Sequence, residues 1–347
     1  MKKELNRRDF VKTAAAGGIG LGLTGNFTSL FKKNNVPDGK RAGIIGLDTS
    51  HSIAYTKTLN NPEAGPEYGG YKIVAAYPKG SSDIKSSVDR IPGYTEEVKK
   101  LGVEIVNSIE DLIRKVDVVF LETNDGRIHL QQALPVLKAG KRMFIDKPIA
   151  ASLADAIAIF NASAHYKTPV FSASSLRYIS GTKEIAEGKI GKVTGADAFS
   201  PCALEPTHPD FFWYGIHGVE TLFTVMGKGC KSVTRVHTAD TDFAIGTWND
   251  NRIGTFRGIR SGKAGYGANV FGETGMIALG EFKGYDPLLV KVIEFFNTGI
   301  SPIDQEETID IFAFMQAADD SKNKGGSPVA IAEVMKKATQ EAKSIKF

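Results

Sequence analysis

Two short stretches of this chain bring together groups able to move protons. In Asp146-Lys147-Pro148 an ammonium follows the apolar run Arg142–Ile145, and the proline fixes the chain's course as it leaves that run. A lysine so placed can hydrogen-bond a hydroxyl, hold the negative charge of a developing alkoxide and take part in proton transfer. The second stretch, Phe211-Phe212-Trp213-Tyr214, leads into Gly215-Ile216-His217 at the head of a helical pattern. An imidazole titrates near neutrality and suits reversible proton transfer. Trp213 offers a flat face for stacking, and Tyr214 a phenol for hydrogen bonding. Arg177, Tyr178 and His208 are weaker candidates for contacts to a small molecule. His208, His217 and His237 are too scattered along the chain to suggest a metal site, and no metal is expected. No Gly-x-Ser-x-Gly elbow or Walker loop occurs.

These residues need a frame, and the pattern of apolar runs supplies one. Arg41–Gly46, Tyr71–Tyr77, Val116–Glu122, Arg142–Ile145 and Pro169–Ser172 read as buried strands. Between them, Ala54–Leu59, Glu96–Lys100, Ile109–Arg114, Leu130–Lys138 and Ala151–His165 read as helical. Alternation of this kind predicts an α/β fold with a parallel doubly wound sheet. After about residue 175 the rhythm changes. Lys192–Phe199, Lys231–His237, Phe243–Trp248, Arg252–Arg260, Gly265–Phe271 and Gly275–Leu279 read as strands joined by short turns, an antiparallel meander. Helices are expected near His217–Val225, Leu288–Thr298 and Thr308–Lys322, with a last one at Ala330–Lys343 returning to cover the first domain. The expected organisation is a leader over 1–33, a first domain over 34–150, a second over 151–327 and a C-terminal helix over 328–347.

The 347 residues are enough for two packed domains, and the 24% charged fraction is ordinary for a globular chain. Two cysteines, Cys202 and Cys230, exclude a disulfide framework and a cysteine-built zinc site. The net charge of +4 sits in the leader, since residues 1–33 hold seven basic and two acidic residues. The body is close to neutral and carries no basic stripe with interleaved aromatics, so no nucleic-acid partner is expected. In the leader, Arg7-Arg8-Asp9-Phe10-Val11-Lys12 precedes a small-residue stretch, Thr13–Leu30, broken by glycines, Thr24 and Asn26. That is too weak for a spanning helix and resembles a twin-arginine export signal, which implies a periplasmic protein exported already folded.

Three segments together resemble the glucose–fructose oxidoreductase / inositol dehydrogenase / MocA family. They are Gly43-Ile44-Ile45-Gly46; Thr123–His129 leading to Ala139-Gly140-Lys141 and Asp146-Lys147-Pro148; and Gly215-Ile216-His217-Gly218-Val219-Glu220. The resemblance implies a Rossmann dinucleotide-binding domain plus an α+β domain with an open, mainly antiparallel sheet that often forms the oligomer contact. It also implies an NAD- or NADP-dependent oxidoreductase acting on a sugar, keto-sugar or glycoside. By the same resemblance, Lys147 lies beside nicotinamide and substrate, and His217 bonds the substrate hydroxyl or serves as general base. Gly46, Asp48, Thr49, Ser50, Tyr77, Lys79, Thr123, Asn124, His129 and Asp146 line the cofactor. Trp213 becomes a sugar-stacking platform, beside Arg177, Tyr178, His208 and Tyr214.

The departures from the family pattern carry their own expectations. In Gly46-Leu47-Asp48-Thr49-Ser50-His51 only the first of the fingerprint glycines remains. Asp48 either repels a pyrophosphate or caps the following helix through the N–H groups of Ser50 or His51, while Thr49 and Ser50 can still donate to phosphate. At the end of the second strand, Lys79 and Ser81 suit a 2′-phosphate and hence NADP, although turn chemistry explains Pro78–Ser82 equally well. The aspartate that usually orients the histidine is replaced by Trp213, leaving Glu220 or Asp210 as substitutes. Two other functions therefore stand beside the dehydrogenase. One is a lyase or glycosidase that uses a retained cofactor for transient oxidation; the other is a sugar-binding module without catalysis.

Overall fold

The computed structural model describes residues 40–347. The leader read over 1–33 lies outside the described residues, as does the linker up to residue 39. From Lys40 the chain builds a six-stranded parallel sheet from β1 (Arg41–Ile45), β2 (Lys72–Tyr77), β3 (Glu104–Ile105), β4 (Val118–Leu121), β5 (Arg142–Ile145) and β6 (Val170–Ser172). The strand order is β3-β2-β1-β4-β5-β6, the doubly wound dinucleotide-binding order. All four residues of β4 are buried, as an apolar run without alternation requires when helices cover both faces. The crossover helices are α1 (Ser50–Asn60), α2 (Lys85–Lys100), α3 (Ile109–Lys115), α4 (His129–Lys138) and α5 (Leu153–His165). Ser108 and Ser152 cap α3 and α5, each accepting the backbone N–H three residues on. Because β6 pairs with β5, the first domain runs through Ser172, past the boundary expected at 150. Helix α5 and β6 are one more turn of the same βα rhythm, which breaks only after them.

A short helix α6 (Thr182–Ala186) leads into the second sheet. Its strands are β7 (Val193–Pro201), β8 (Cys230–His237), β9 (Thr241–Trp248), β10 (Ile253–Ile259), β11 (Gly267–Gly272), β12 (Met276–Leu279) and β13 (Val329–Ala330). Their order is β12-β11-β7-β10-β9-β8-β13, antiparallel except where β7 runs parallel to β10. Helix α7 (Ile216–Met226) lies on the inner face. A Cβ built on Gly218 would stand 2.1 Å from the Phe256 ring, so only glycine lets the helix approach β10 this closely. Helix α8 (Asp286–Thr298) returns to the first sheet, its Phe296 5.0 Å from Phe120 and its Phe295 4.9 Å from Phe171. Helices α9 (Gln305–Asn323) and α10 (Ile331–Ala342) close the fold, and α10 packs on α5 as the expected cover of the first domain. Among the described residues no helix is long and apolar enough to cross a membrane.

Candidate active site

The carboxyl ends of β1, β4 and β5 lie side by side and face the head of α7. Gly46 turns the chain out of β1 with φ +88°, and a Cβ there would stand 2.5 Å from the Thr123 nitrogen. A side chain would therefore both strain the turn and collide with the end of β4. The Tyr77 carbonyl accepts the Gly46 N–H at 2.9 Å. Tyr77 and the buried Thr123 shape the turn from behind and are not among the residues lining the cavity.

That cavity, about 320 Å³, lies between the two domains. Thr49, Ser50 and His51 of the α1 turn form one end of it, with Arg90 of α2 beside them. Lys147 and Asn124 line the first-domain wall, and Trp213, Tyr214 and His217 the second-domain wall. Both residues read from the sequence as proton-handling groups thus reach one space from different domains. The Ser174 hydroxyl lies 2.9 Å from His217 Nδ1, the ring nitrogen for which an orienting aspartate was expected. Neither proposed substitute reaches the ring: Glu220 accepts from Ser174 N and Arg177, while Asp210 holds Arg235 and Lys322. Burial, with the nearby Lys147 and His51 cations adding to it, holds His217 well below the usual imidazole range. The Tyr214 and Tyr266 hydroxyls meet at 2.9 Å on the same wall.

Asp48 does neither of the things expected of it. It leaves α1 without a side-chain cap, and it is not among the residues lining the cavity. Its carboxylate turns into the gap between loops, accepting Asn124 N at 3.1 Å and Ser81 N at 3.3 Å. Burial pushes its pKa up to about 6 against these hydrogen bonds. Asp48 therefore fastens the β1, β2 and β4 ends to one another. Nearby, Arg127 bonds both Asp83 and Asp125, tying the loop after β2 to the loop after β4.

Beneath the cavity lies a cluster that the sequence reading missed. His51 Nδ1 stands 3.0 Å from Asp146 Oδ1 and 3.7 Å from Glu122 Oε2, with all three residues buried. Asp146 also accepts the Lys147 N–H at 2.8 Å. Glu122, stripped of water and facing Asp146, is pushed up to about 7. His51 is raised to about 9, since the Asp146 carboxylate outweighs the effect of burial. Asp146 is held below the usual carboxylate range by His51 and Lys147, against burial. The legible signal was a histidine where the fingerprint has a small residue, opposite acids ending two neighbouring strands.

Several expected site residues do structural work instead. His129 is buried between the carbonyls of Thr123 and Ile149, at 2.6 and 3.1 Å, and burial lowers its pKa. It fixes the loop after β4 and does not line the cavity. Arg177 is buried in ion pairs with Glu220 and Glu307, and neighbouring Tyr178 packs on the apolar cluster around α8. His208 stands 3.2 Å from Asp125 and packs on Trp213, one layer behind the cavity. Their sequence positions beside reactive segments are real, but each side chain is spent on a buried partner. Lys79 is exposed, while Ser81 is buried and bonded to Asp83.

A family model described as the oxidoreductase family with an NAD-binding Rossmann fold matches residues 40–173. That match, over less than half of the chain, is to the family its motifs resemble. A 1,5-anhydro-D-fructose reductase of Ensifer adhaerens is 30% identical over 131 residues, 36% of this chain and 38% of that protein. The chain thus matches less than half the length of that curated relative. Among solved structures, a probable dehydrogenase from Thermotoga maritima superimposes with a TM-score of 0.68 at 19% identity, covering 85% of this chain and 99% of its own. A scyllo-inositol dehydrogenase from Lactobacillus casei, solved with NAD(H) and scyllo-inositol, gives 0.66 at 18% identity, covering 85% and 100%. These likenesses extend the shared fold across both domains.

The donors that a dinucleotide's diphosphate needs are present. The first turn of α1 contains no acid and its N–H groups are uncapped by side chains; the Thr49 and Ser50 hydroxyls and Arg90 join them at the cavity. At the end of β2, where a Rossmann fold receives the second ribose, the loops are tied by Asp48 and Arg127.

Proposed function

We propose that the chain is a nicotinamide-dependent oxidoreductase acting on a hydroxyl or carbonyl of a sugar, keto-sugar or glycoside. The observation that carries this reading is the convergence of Lys147 and His217 on one cavity that also contains the uncapped head of α1. Thr49, Ser50 and Arg90 would hold the diphosphate, with Asn124 beside them. When bound, the nicotinamide supplies the hydride donor or acceptor. The relatives named for inositol and anhydrofructose support a polyhydroxylated ring as substrate.

The chain's own groups handle the proton. Ser174 Oγ accepts the Leu176 N–H and lies 2.9 Å from His217 Nδ1, and in this reading it gives its own hydrogen to that nitrogen. That arrangement leaves Nε2 as the protonated ring nitrogen, a donor to a substrate oxygen. Lys147, whose Nζ stands 3.7 Å from Asp146 Oδ2, gives a proton to the substrate oxygen as an ammonium when a carbonyl is reduced, and accepts the hydroxyl proton as the neutral amine when a hydroxyl is oxidised. The Trp213 face packs against the sugar's C–H surface.

A second reading, a lyase or glycosidase with a retained dinucleotide, is favoured by the tied loops at the end of β2, which would slow exchange. Mass spectrometry and ultraviolet absorbance of the purified protein test the first step: a nicotinamide dinucleotide should co-purify or bind when added. Steady reduction of added cofactor with one of a panel of sugars marks a dehydrogenase, and turnover without net reduction marks the second reading. A protein that ignores both NAD and NADP leaves only sugar binding without catalysis. Whether NADP is preferred rests on exposed Lys79 alone, because Ser81 is turned inward. We also propose export by the twin-arginine route, checked by cell fractionation with and without an Arg7→Lys/Arg8→Lys change. The outer face of the second sheet, bearing half-exposed Phe199, Phe243 and Ile245, is proposed as the oligomer contact, checked by light scattering.

A further inference from the structure

We propose that His51, Glu122 and Asp146 form a binding site for one divalent transition-metal ion of the Zn²⁺ or Mn²⁺ type. The starting point is a set of buried polar atoms without hydrogen-bond partners: His51 Nδ1, both Glu122 carboxylate oxygens and Asp146 Oδ2. A buried carboxylate with no donor on either oxygen is heavily penalised by the loss of its water unless something else compensates it. His51 sits in the first turn of α1, just after β1, and Glu122 and Asp146 directly follow β4 and β5, so the backbone holds the three in place.

Their spacing fits a cation. One oxygen or nitrogen from each residue lies within 4.8 Å of the others. The two measured pairs, 3.0 and 3.7 Å, bracket the about 3.0–3.5 Å that separates neighbouring ligands around an ion with bonds of about 2.0–2.2 Å. The 3.0 Å approach of His51 Nδ1 to Asp146 nevertheless lacks hydrogen-bond geometry, since that nitrogen counts as unpartnered. Without an ion the charge of the imidazole's own proton holds the pair together, and a bound ion takes that proton's place. One imidazole and two carboxylates suit Zn²⁺ or Mn²⁺ over a soft ion, and two carboxylates neutralise the ion's double charge. His51 also lines the cavity, while Glu122 and Asp146 lie beneath it, so the site adjoins the space between Lys147 and His217. Tyr285 packs edge-on to the imidazole at 4.5 Å and limits its rotation.

The site goes beyond the redox reading and stands without it, because metal binding is measured in the absence of nucleotide and sugar. The full chain, stripped with a chelator, is titrated with Zn²⁺, Mn²⁺ and, for its visible absorption, Co²⁺. One equivalent should bind, the Co²⁺ spectrum should show ligand-field bands, and Zn²⁺ should raise the melting temperature. Glu122→Gln and His51→Gln should each weaken Co²⁺ binding at least 100-fold, while His217→Gln leaves it unchanged. Absence of binding by all three ions below millimolar concentration overturns the proposal. So does binding that both variants retain. If a variant loses its far-ultraviolet circular dichroism, Asp146→Asn replaces it, and the wild-type thermal shift decides independently of any variant.

Discussion

Two buried clusters of charge sit in this protein, and they are built on opposite plans. In the second domain, Arg235 is 1% exposed and its guanidinium meets Asp210, Asp242 and Asp319, with the plane 4.1 Å above the Phe211 ring. Nearly every donor has an acceptor there; one Asp319 oxygen is left over, and burial pushes that residue's pKa up to about 7. At the ends of β4 and β5 the position is reversed. His51, Glu122 and Asp146 are as deeply buried, yet four of their polar atoms have no partner. A satisfied cluster locks a fold together, whereas an unsatisfied one at the floor of a cavity stores polar capacity for something that enters. Burial of charge alone does not separate structural from functional residues in this molecule. What differs between these two clusters is the completeness of the partners.

That contrast can be broken by substitution. Lys147→Ala should lower kcat/KM about 1,000-fold in the sugar-dependent assay, within the range for removing a positioned proton-transfer group, while the melting transition stays cooperative. Activity within tenfold of wild type would remove Lys147 from the chemistry. Arg235→Leu should do the converse, costing about 3–5 kcal/mol in urea unfolding by stranding buried carboxylates, with activity per folded molecule retained. A stability change below about 1 kcal/mol would show that the cluster is not what holds α9 to the sheet.

Smaller effects sharpen the picture at the rim. Ser174→Ala should lower kcat about tenfold and alter the pH–rate profile, because the hydroxyl sets the His217 tautomer; a merely structural serine would leave that profile in place. Trp213→Ala should raise KM several-fold, by loss of about 1 kcal/mol of stacking, with kcat little changed. For Asp48 the sign follows from a folded-state pKa of about 6, raised above the ordinary 3.8. The stability contributed by its protonated form is fully present below the unfolded value and is lost as pH rises through about 6. Asp48→Asn should flatten the decline between these two values in pH-dependent urea unfolding, and an unchanged slope would assign that decline elsewhere.

Much of the scaffold was legible because it rests on local patterns. The uninterrupted apolar run Val118–Leu121 announces a strand buried on both faces, and the alternation along Thr241–Trp248 announces one half-covered. Lys147 and His217 could be read for the same kind of reason, since each stands at an element end beside a distinctive neighbour. The extension of the first sheet through β6 was written in the same rhythm and was cut short only by placing the boundary too early. Arg177 and His208 misled because adjacency in sequence says nothing of which buried acid a side chain will find. Asp48 misled for a related reason: its partners, Ser81 and Asn124, come from loops distant in sequence.

The order of apolar and polar residues along the chain thus determined the two sheets and most of the helices, and it singled out Lys147 and His217, because periodicity and element ends are short-range properties. Only the tertiary structure decided that Lys147 and His217 share one cavity, that Ser174 meets the His217 ring, and that His51 meets Glu122 and Asp146. Those outcomes depend on which strand ends become neighbours and on which polar atoms remain unpaired once the water has gone, and both are settled by packing across the whole chain.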